Sequence, residues 1–197
     1  MKALTTCRII VSVIKVSTKT NAVRLVEQAG IPCREAFYEF DENDLNGMHA
    51  AEALAMPPEQ VFKTLVARGE RTGINVFCIP VCCELDLKKA AKAAGDKNME
   101  LIAVKELLPL TGYIRGGCSP VGMKKKYPTF MDETCILWEE IAVSAGERGH
   151  QITLNPEALA KLTGAVLADI TVLQKGRDKC STNTKPREPA PRRSFLT

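Results

Sequence analysis

Apolar residues occupy both faces of the stretch VFKTLVAR, from Val61 to Arg68. This pattern is typical of a strand that is buried on both faces. Lys63 then places an ammonium in the middle of a core strand, where an unpaired cation is costly. Its side chain could reach solvent, pair with a carboxylate, or face a cleft that receives an anion or a polar substrate. The rest of the chain favours the cleft.

Helical spacing of apolar residues, together with capping residues, predicts the helices. Asp86 precedes LKKAAKAA and Gly95 follows it, which predicts a helix from Leu87 to Ala94. Asn155 and Pro156 begin another helix, and Gly164 ends it. Further helices are predicted at about 20–29 and 48–55, with a short one near 104–108 that ends before Pro109.

Short apolar or alternating runs between turn residues predict seven or eight strands. The Val61–Arg68 strand and the run at 74–82 are expected to pair as a hairpin. The other predicted strands lie at 34–40, 99–102, 128–132, 136–144, 151–154 and 165–170. With about four helices and no regular alternation of strand and helix, the fold class is α+β. We expect a curved mixed sheet, or a partly open barrel, with helices packed outside it.

The length of 197 residues, 45% of them hydrophobic, predicts one domain, at 19–171. Residues 1–18 read as an extension that either adds an edge strand or is dispensable. Residues 172–197 read as a basic, disordered tail. Residues 174–197 carry seven basic and two acidic groups, whereas the rest of the chain carries 20 basic and 21 acidic ones. Nucleic-acid binding by the domain would therefore need a local patch.

The eight cysteines do not predict a disulfide framework. No secretory signal is recognisable and no apolar run approaches the roughly 20 residues of a membrane span. We therefore expect a cytoplasmic protein with reduced thiols and no membrane partner. Cys78, Cys82 and Cys83 could hold a metal or fill the core, and the core interpretation is favoured because free cysteine is commonly buried.

The stretch TGYIRGGCSPVGMKKK, from Thr111 to Lys126, joins a glycine-rich loop to three lysines. Glycines permit close backbone approach, so this loop suits a phosphate or ribose ligand. Walker and Rossmann phosphate motifs are absent from the sequence, which disfavours a nucleotide-driven enzyme. No catalytic triad is evident, and His49 and His150 are expected to be polar surface residues.

The candidate chemistry rests on an ammonium, hydroxyls and loop amides rather than on a nucleophile. Such a set can bind a carbonyl and a ribose, and it works by positioning and electrostatic stabilisation. Its members are Lys63, Thr64, Tyr38, Gly116, Gly117 and Ser144. Basic side chains at Lys88, Lys89, Lys92 and 124–126 leave open a local patch for nucleic acid, and simple solvation is the alternative explanation of these charges.

Five stretches, in order, resemble the YbaK/ProX aminoacyl-tRNA editing family, and most closely its Cys-tRNA(Pro) deacylase branch. They are KTNAVRLVEQAGIP (19–32), EQVFKTLV (59–66), LDLKKAAK (85–92), TGYIRGGCSPVGMKK (111–125) and VSAGERG (143–149). The resemblance implies the family's curved mixed sheet with flanking helices. It also implies that the enzyme clears Cys-tRNA(Pro), with the substrate's own thiol attacking its ester carbonyl.

The resemblance assigns roles to individual residues. Lys63, Gly116 and Gly117 would be catalytic, while Tyr38, Thr64, Ser119 and Ser144 would bind substrate. Lys88, Lys89, Lys124 and Lys125 would contact tRNA. The resemblance implies no metal or cofactor, an aminoacyl-tRNA substrate, prolyl-tRNA synthetase as a partner, and no DNA. Cys-tRNA(Cys), Ala-tRNA(Pro) and other mischarged tRNAs remain open as substrates, and so does a non-catalytic module that binds tRNA or a synthetase through the basic side chains.

Overall fold

A computed structural model describes residues 19–42 and 47–173, which hold five α-helices, one 3-10 helix and ten β-strands. The helices are α1 (Asn21–Gln28), α2 (Gly47–Leu54), α3 (Leu87–Ala94), α4 (Val104–Thr111) and α5 (Pro156–Thr163), with the 3-10 helix at Glu133–Leu137. The strands are β1 (Cys33–Phe37), β2 (Phe62–Gly69), β3 (Gly73–Pro80), β4 (Cys83–Leu85), β5 (Met99–Leu101), β6 (Thr129–Asp132), β7 (Ile141–Ser144), β8 (His150–Leu154), β9 (Val166–Ala168) and β10 (Thr171–Leu173). The predicted extension at 1–18 and almost all of the predicted tail lie outside the described residues.

The strands form three sheets, and none of them closes into a barrel within the described residues. The largest sheet has the order β5-β2-β3-β6-β9 and is mixed. β2 pairs antiparallel with both of its neighbours, β5 and β3, whereas β3, β6 and β9 run parallel. An antiparallel sheet has the order β1-β8-β7, and β10 pairs antiparallel with β4. The predicted α+β class and the predicted β2–β3 hairpin are confirmed.

The first half of β2 has an edge that no described strand covers. β5 pairs with β2 only over Ala67–Gly69. Immediately before β2, Val61 forms a parallel bridge to Ala142 of β7, and the amide of Ala142 donates to the carbonyl of Gln60 at 3.0 Å. The two larger sheets therefore meet at the start of β2 and leave a gap beside it.

Apolar layers cover both faces of the mixed sheet, as the pattern of β2 predicts. Phe62, Cys78 and Met131 pack on one side, in a cluster that includes α1, α5, β7 and β8. Phe77, Ile79 and Phe130 pack on the other side with α3. Burial on both faces makes β2 a rigid support for the side chains it carries.

Helices with strong capping residues begin and end where the sequence predicts. The carboxylate of Asp86 accepts from the amides of Lys88 and Lys89 at 2.9 and 3.1 Å, and Gly95 ends α3 in the left-handed conformation. The side chain of Asn155 accepts from the amide of Ala158 at 3.0 Å at the start of α5. Each cap satisfies helix-end groups that would otherwise lack partners.

Two predicted boundaries are wrong. The strand predicted at 136–144 is only Ile141–Ser144, because a 3-10 helix precedes it. At the start of that helix, the carboxylate of Asp132 accepts from both the amide and the hydroxyl of Thr134, at 3.1 and 2.6 Å. α4 does not stop before Pro109 but continues to Thr111. There the Thr111 hydroxyl donates to the carbonyl of Leu107 at 2.7 Å, which holds the last turn.

The two ends of the described domain also differ from the prediction. β1 ends at Phe37 rather than Phe40. The amide of Tyr38 adds one more hydrogen bond in the β1–β8 register, to the carbonyl of Gly149 at 2.8 Å, where Gly149 takes a positive φ of 70°. The predicted strand at 165–170 is only Val166–Ala168, and the chain then forms β10, which lies partly beyond the predicted domain boundary at 171.

Candidate active site

A cleft of about 630 Å³ lies along the uncovered edge of β2. Residues 61–66 line it. The glycine-rich loop after α4, the β7–β8 turn and the segment after β1 also line it, together with parts of α2 and of residues 101–107. Tyr38, Lys63, Thr64, Gly116 and Ser144, which the sequence predicts as site residues, all line this cleft.

Lys63 is half-buried, and its ammonium donates to the carbonyl oxygen of Val81 at 3.2 Å. Burial lowers the pKa of Lys63 from its ordinary value, while Cys83, Glu84 and Cys82 act in the opposite direction. The hydrogen-bond partner of the ammonium is a neutral carbonyl, which leaves its charge uncompensated at that contact. This arrangement fits the cleft interpretation of Lys63 better than the carboxylate-paired one.

The hydroxyl groups in the cleft come from separate parts of the chain. Tyr38 accepts a hydrogen bond from the side-chain amide of Gln151 at 3.4 Å. The Ser144 hydroxyl accepts from the amide of Gly146 at 3.3 Å, and the Thr64 hydroxyl lies 3.8 Å from the sulfur of Cys78. These contacts fix the orientation of polar groups that face the cleft.

Gly116 and Gly117, the adjacent glycines of the glycine-rich loop, have different structural environments. Gly116 lines the cleft at a φ of 87°, a conformation that side chains other than glycine rarely adopt. The amide of Gly117 donates to the carbonyl of Ile114 at 3.0 Å, so it closes a turn. A Cβ at Gly117 would lie 3.0 Å from the backbone carbon of Glu147. Gly117 therefore permits the contact between the glycine-rich loop and the β7–β8 turn.

Two arginines in the cleft were missed by the sequence reasoning. The guanidinium of Arg148 donates to the carbonyl of Arg115 at 3.0 Å and pairs with Glu42 at 3.2 Å. Both arginines line the cleft that holds Lys63. They occur within two of the motifs quoted above, YIRGG and AGERG, but only the small residues of those motifs were interpreted.

Comparison with known proteins identifies the family of the chain. A family model for the aminoacyl-tRNA editing domain matches residues 48–162, which include β2, the glycine-rich loop and the β7–β8 turn. The chain belongs to the aminoacyl-tRNA editing domain family. The resemblance predicted from the sequence is confirmed.

The chain aligns with nearly the whole length of two proteins related to this editing domain. An Enterococcus faecalis protein named "Putative Cys-tRNA(Pro)/Cys-tRNA(Cys) deacylase EbsC" is 48% identical over 157 residues, which is 80% of this chain and 96% of the relative. A crystal structure described as a putative trans-editing enzyme for prolyl tRNA synthetase is 28% identical with a TM-score of 0.67, covering 79% of this chain and 99% of that one. A hypothetical protein at 22% identity and a TM-score of 0.70 shares the fold.

Among the described residues that line the editing-domain cleft, one carries a thiol, and this thiol is poorly suited to attack. Cys118 lines the cleft, but burial raises its pKa to about 12. A protonated thiol is a weak nucleophile, because the thiolate is the reactive form. Among the described residues, no group of three or more histidine, cysteine or carboxylate side chains is placed to hold a metal.

The remaining residues assigned to substrate lie outside the cleft lining. Ser119 is fully buried, and its hydroxyl accepts from the amide of Val121 at 3.2 Å. Lys89 pairs with Asp169 at 2.7 Å, and the ammonium of Lys124 donates to the carbonyl of Leu108 at 3.3 Å. Lys88 and Lys125 are exposed. Ser119 and these lysines thus do not line the cleft that holds Lys63, and their roles stay predictions.

One histidine prediction is wrong. His150 is only 2% exposed and not a surface residue. Its Nε2 lies 2.9 Å from a carboxylate oxygen of Glu35, and its ring stacks on Phe37 with centroids 4.1 Å apart. Its strand, β8, is central between β1 and β7, so neighbours cover it on both sides. His49 is exposed as expected and also lines the cleft.

Within the described part of the chain, every helix is too short or too polar to cross a membrane.

Proposed function

We propose that this editing domain is a trans-acting aminoacyl-tRNA deacylase that clears mischarged Cys-tRNA(Pro), and also Cys-tRNA(Cys). The name of the relative at 48% identity supports this substrate class. The solved trans-editing enzyme supports action on a tRNA released by a synthetase. The observation that carries the proposal is the cleft, which gathers cations and oriented polar groups around Lys63. Among the described residues that line it, the Cys118 thiol is held protonated by burial, and the hydroxyls of Thr64 and Ser144 contact a thiol and a main-chain amide rather than a histidine or carboxylate base.

The reaction suited to such a cleft uses the nucleophile of the substrate. The thiol sulfur of the cysteinyl group attacks its own ester carbonyl, and the bond to the ribose oxygen breaks. The products are a four-membered cyclic thioester, which water later opens, and the tRNA hydroxyl, which takes up the proton. The protein holds the reacting atoms together, and effects of this kind contribute large factors to rate. Lys63 stabilises the negative charge that develops on oxygen.

The cations suit the end of a tRNA. Arg115, Arg148 and Lys63 line one cleft and offer charge-assisted hydrogen bonds to phosphate and ribose oxygens. Arginine binds phosphate through a planar group with several donors, which favours oriented binding. Leu101, Ile102 and Val104 also line the cleft and offer an apolar surface to an adenine ring.

The proposed function also involves a partner protein and surface lysines outside the cleft. Prolyl-tRNA synthetase is the proposed partner, the cytoplasm is the proposed location, and the reaction needs no cofactor. Lys88, Lys89, Lys124 and Lys125 are proposed to contact the tRNA body. Because surface lysines act through screened charge, this contact should weaken steeply with salt.

A deacylation panel tests the proposal. Purified protein is incubated with Cys-, Ala-, Pro- and Ser-charged tRNAs, and the remaining ester is measured over time. Preference for Cys-tRNA is expected, since only that substrate carries a thiol. Cleavage of Ala-tRNA at an equal rate would overturn thiol assistance and favour an activated water. Salt-sensitive tRNA binding without cleavage of any ester would favour a binding module instead.

A further inference from the structure

Two neighbouring thiols follow Val81, a residue that lines the cleft. Val81 and Cys82 form the turn between β3 and β4, Cys83 is the first residue of β4, and the sulfur atoms of Cys82 and Cys83 are 3.8 Å apart. Both thiols are reduced. Cys82 is half-buried, while Cys83 is 9% exposed and begins the strand that pairs with β10. Adjacent sulfurs at this distance are close enough to react with each other after a small movement.

The same turn positions Lys63. The carbonyl that accepts from the Lys63 ammonium belongs to Val81, and the peptide bond of that carbonyl leads into Cys82. The amide of Val81 donates to the carbonyl of Val61 at 2.8 Å, which ties the turn to the start of β2. A change in the backbone at Cys82 therefore reaches the ammonium through a single residue.

The surroundings of Cys83 favour its thiolate. A hydrogen bond from Cys82 is the largest effect and lowers the pKa of Cys83 to about 7, with smaller contributions from Thr171 and Lys63. Burial and Asp132 act in the opposite direction. Other buried thiols of the domain differ, since burial raises the pKa of Cys78 and of Cys118 to about 12. Cys83 is thus distinguished from them as a thiol that can react near neutral pH.

We propose that Cys82 and Cys83 form a dithiol modification site that a hydroperoxide oxidises to a disulfide, and that this oxidation slows the editing reaction by displacing the Val81 carbonyl from Lys63. With hydrogen peroxide, the Cys83 thiolate attacks one oxygen, the O–O bond breaks, and a sulfenic acid and hydroxide form; the hydroxide takes up the proton that the Cys83 thiol released and becomes water. The Cys82 sulfur then attacks the sulfenic sulfur, an S–S bond forms, and its proton leaves with the hydroxyl as water. Two thiols are oxidised and one peroxide is reduced to two waters.

Closing this disulfide must distort the turn. Adjacent Cα atoms lie about 3.8 Å apart across a trans peptide, whereas ordinary disulfides have Cα separations of roughly 4.4 to 6.8 Å. The backbone at Cys82 has to twist to close the ring, and a strained disulfide is readily reduced. The site is therefore reversible, and its closure acts on the residue that holds the Lys63 ammonium.

The chemical site can be tested without any deacylase assay. The full-length protein is treated with hydrogen peroxide and unfolded in the presence of iodoacetamide. It is then digested with a protease, and the peptide masses are measured by mass spectrometry. We expect a peptide containing Cys82 and Cys83 that has lost two hydrogens and carries no alkyl group. Phenylarsine oxide, which bonds to both sulfurs and releases water, should protect the same peptide from alkylation until a dithiol removes it. Alkylation of both sulfurs after peroxide, or disulfides to other cysteines instead, would overturn the site.

The effect on editing rests on the proposed function and is measured separately. Deacylation of Cys-tRNA should fall by roughly tenfold to a hundredfold after peroxide, the loss that a displacement of about 1 Å can cause, and dithiothreitol should restore it. Cys82→Ser should keep its activity in peroxide, whereas Cys33→Ser, a half-buried thiol at β1, should stay sensitive. A disulfide that forms without slowing deacylation would overturn the coupling. Absence of deacylation before oxidation would instead overturn the proposed function, while the mass measurement still decides the site.

Discussion

The ammonium of Lys63 donates to the main-chain carbonyl of Val81 at 3.2 Å, across the start of the β2–β3 hairpin. A neutral partner orients the ammonium without cancelling its charge. Burial opposes that charge and lowers the pKa of Lys63. The folded protein therefore holds, at the edge of β2, a cation that an anionic group of a substrate can stabilise.

Replacing Lys63 by methionine should separate activity from stability. Deacylation should fall by about a hundredfold or more, as the loss of one preorganised electrostatic donor does. The melting temperature should be unchanged or higher, because Lys63→Met removes a half-buried charge and keeps an unbranched chain. Deacylation rates and thermal unfolding by circular dichroism measure the two effects. Native activity in this variant would show that Lys63 is a structural residue.

Arg148→Ala should weaken substrate binding. Hydrogen bonds to charged groups contribute roughly 1.5–3 kcal/mol, so KM should rise about tenfold or more with a smaller change in kcat. Arg34→Ala is the matched control, since Arg34 pairs with Glu140 at the surface and its side chain is 74% exposed. We expect the control to keep its kinetics. Equal effects of the two substitutions would mean that Arg148 acts only through general charge.

Gly117→Ala should damage both the fold and the activity. The new Cβ would meet the backbone at Glu147 and Arg148, at 3.0 and 3.1 Å, and overpacking of this kind costs about 1–3 kcal/mol. Gly164→Ala is the control, because its Cβ meets nothing within 4 Å and only the positive φ is strained, at a cost of about 1–2 kcal/mol.

Urea unfolding and deacylation rates compare these two glycine variants at a temperature where both are folded. The Gly164 variant should lose stability and keep its rate, since it lies at the end of α5. The Gly117 variant should lose both. If the two variants kept the same rate, the contact between the glycine-rich loop and the β7–β8 turn would have no part in catalysis.

Asp96→Asn should make the stability of the protein less dependent on pH. Hydrogen bonds, first from the amide of Thr72 and then from those of Arg71 and Lys97 and the Thr72 hydroxyl, hold the pKa of Asp96 well below its usual range. A lowered folded-state pKa contributes stability above the unfolded-state pKa of about 3.9, and this contribution is lost as pH falls through the folded-state pKa.

Thermal unfolding at pH 7 and at pH 3 measures this effect. The melting temperature of the Asn variant should lie below that of the native protein at pH 7, and the difference should shrink at the lower pH. Asp169→Asn serves as a control, because that carboxylate is 59% exposed in its pair with Lys89. A difference that grew towards low pH would contradict the proposed role of Asp96.

Local signals predicted the elements whose ends are fixed by their own side chains. The Asp86 cap with Gly95, and the Asn155 cap with Pro156, lie within a few residues of the helices they limit, so α3 and α5 were predicted at their observed bounds. Asp132 had the same capping chemistry, but its apolar neighbours suggested a strand and the 3-10 helix was missed. Pro109 was read as a helix end, although α4 continues past it.

The candidate site was predicted in part. Lys63 stood out because its strand is apolar on both faces, and the glycines stood out because they exclude regular structure. Arg115 and Arg148 are 33 residues apart in sequence and adjacent in the fold. Neither has a local pattern that marks it, since single arginines in loops are usually solvated. The burial of Ser119 and the turn hydrogen bond of Gly117 likewise depend on tertiary contacts.

The pairing of β10 with β4 has a consequence for the order in which the protein is made. A chain emerges from the ribosome with its N-terminal side first. Every described residue that lines the cleft precedes Ile152. Among the described strands, however, β4, beside the turn that holds Lys63, has no partner until Thr171–Leu173 is synthesised. A nascent chain stopped in α5 would thus contain the whole cleft sequence without its final support. Editing activity should therefore appear late in translation, after the last strand has been released.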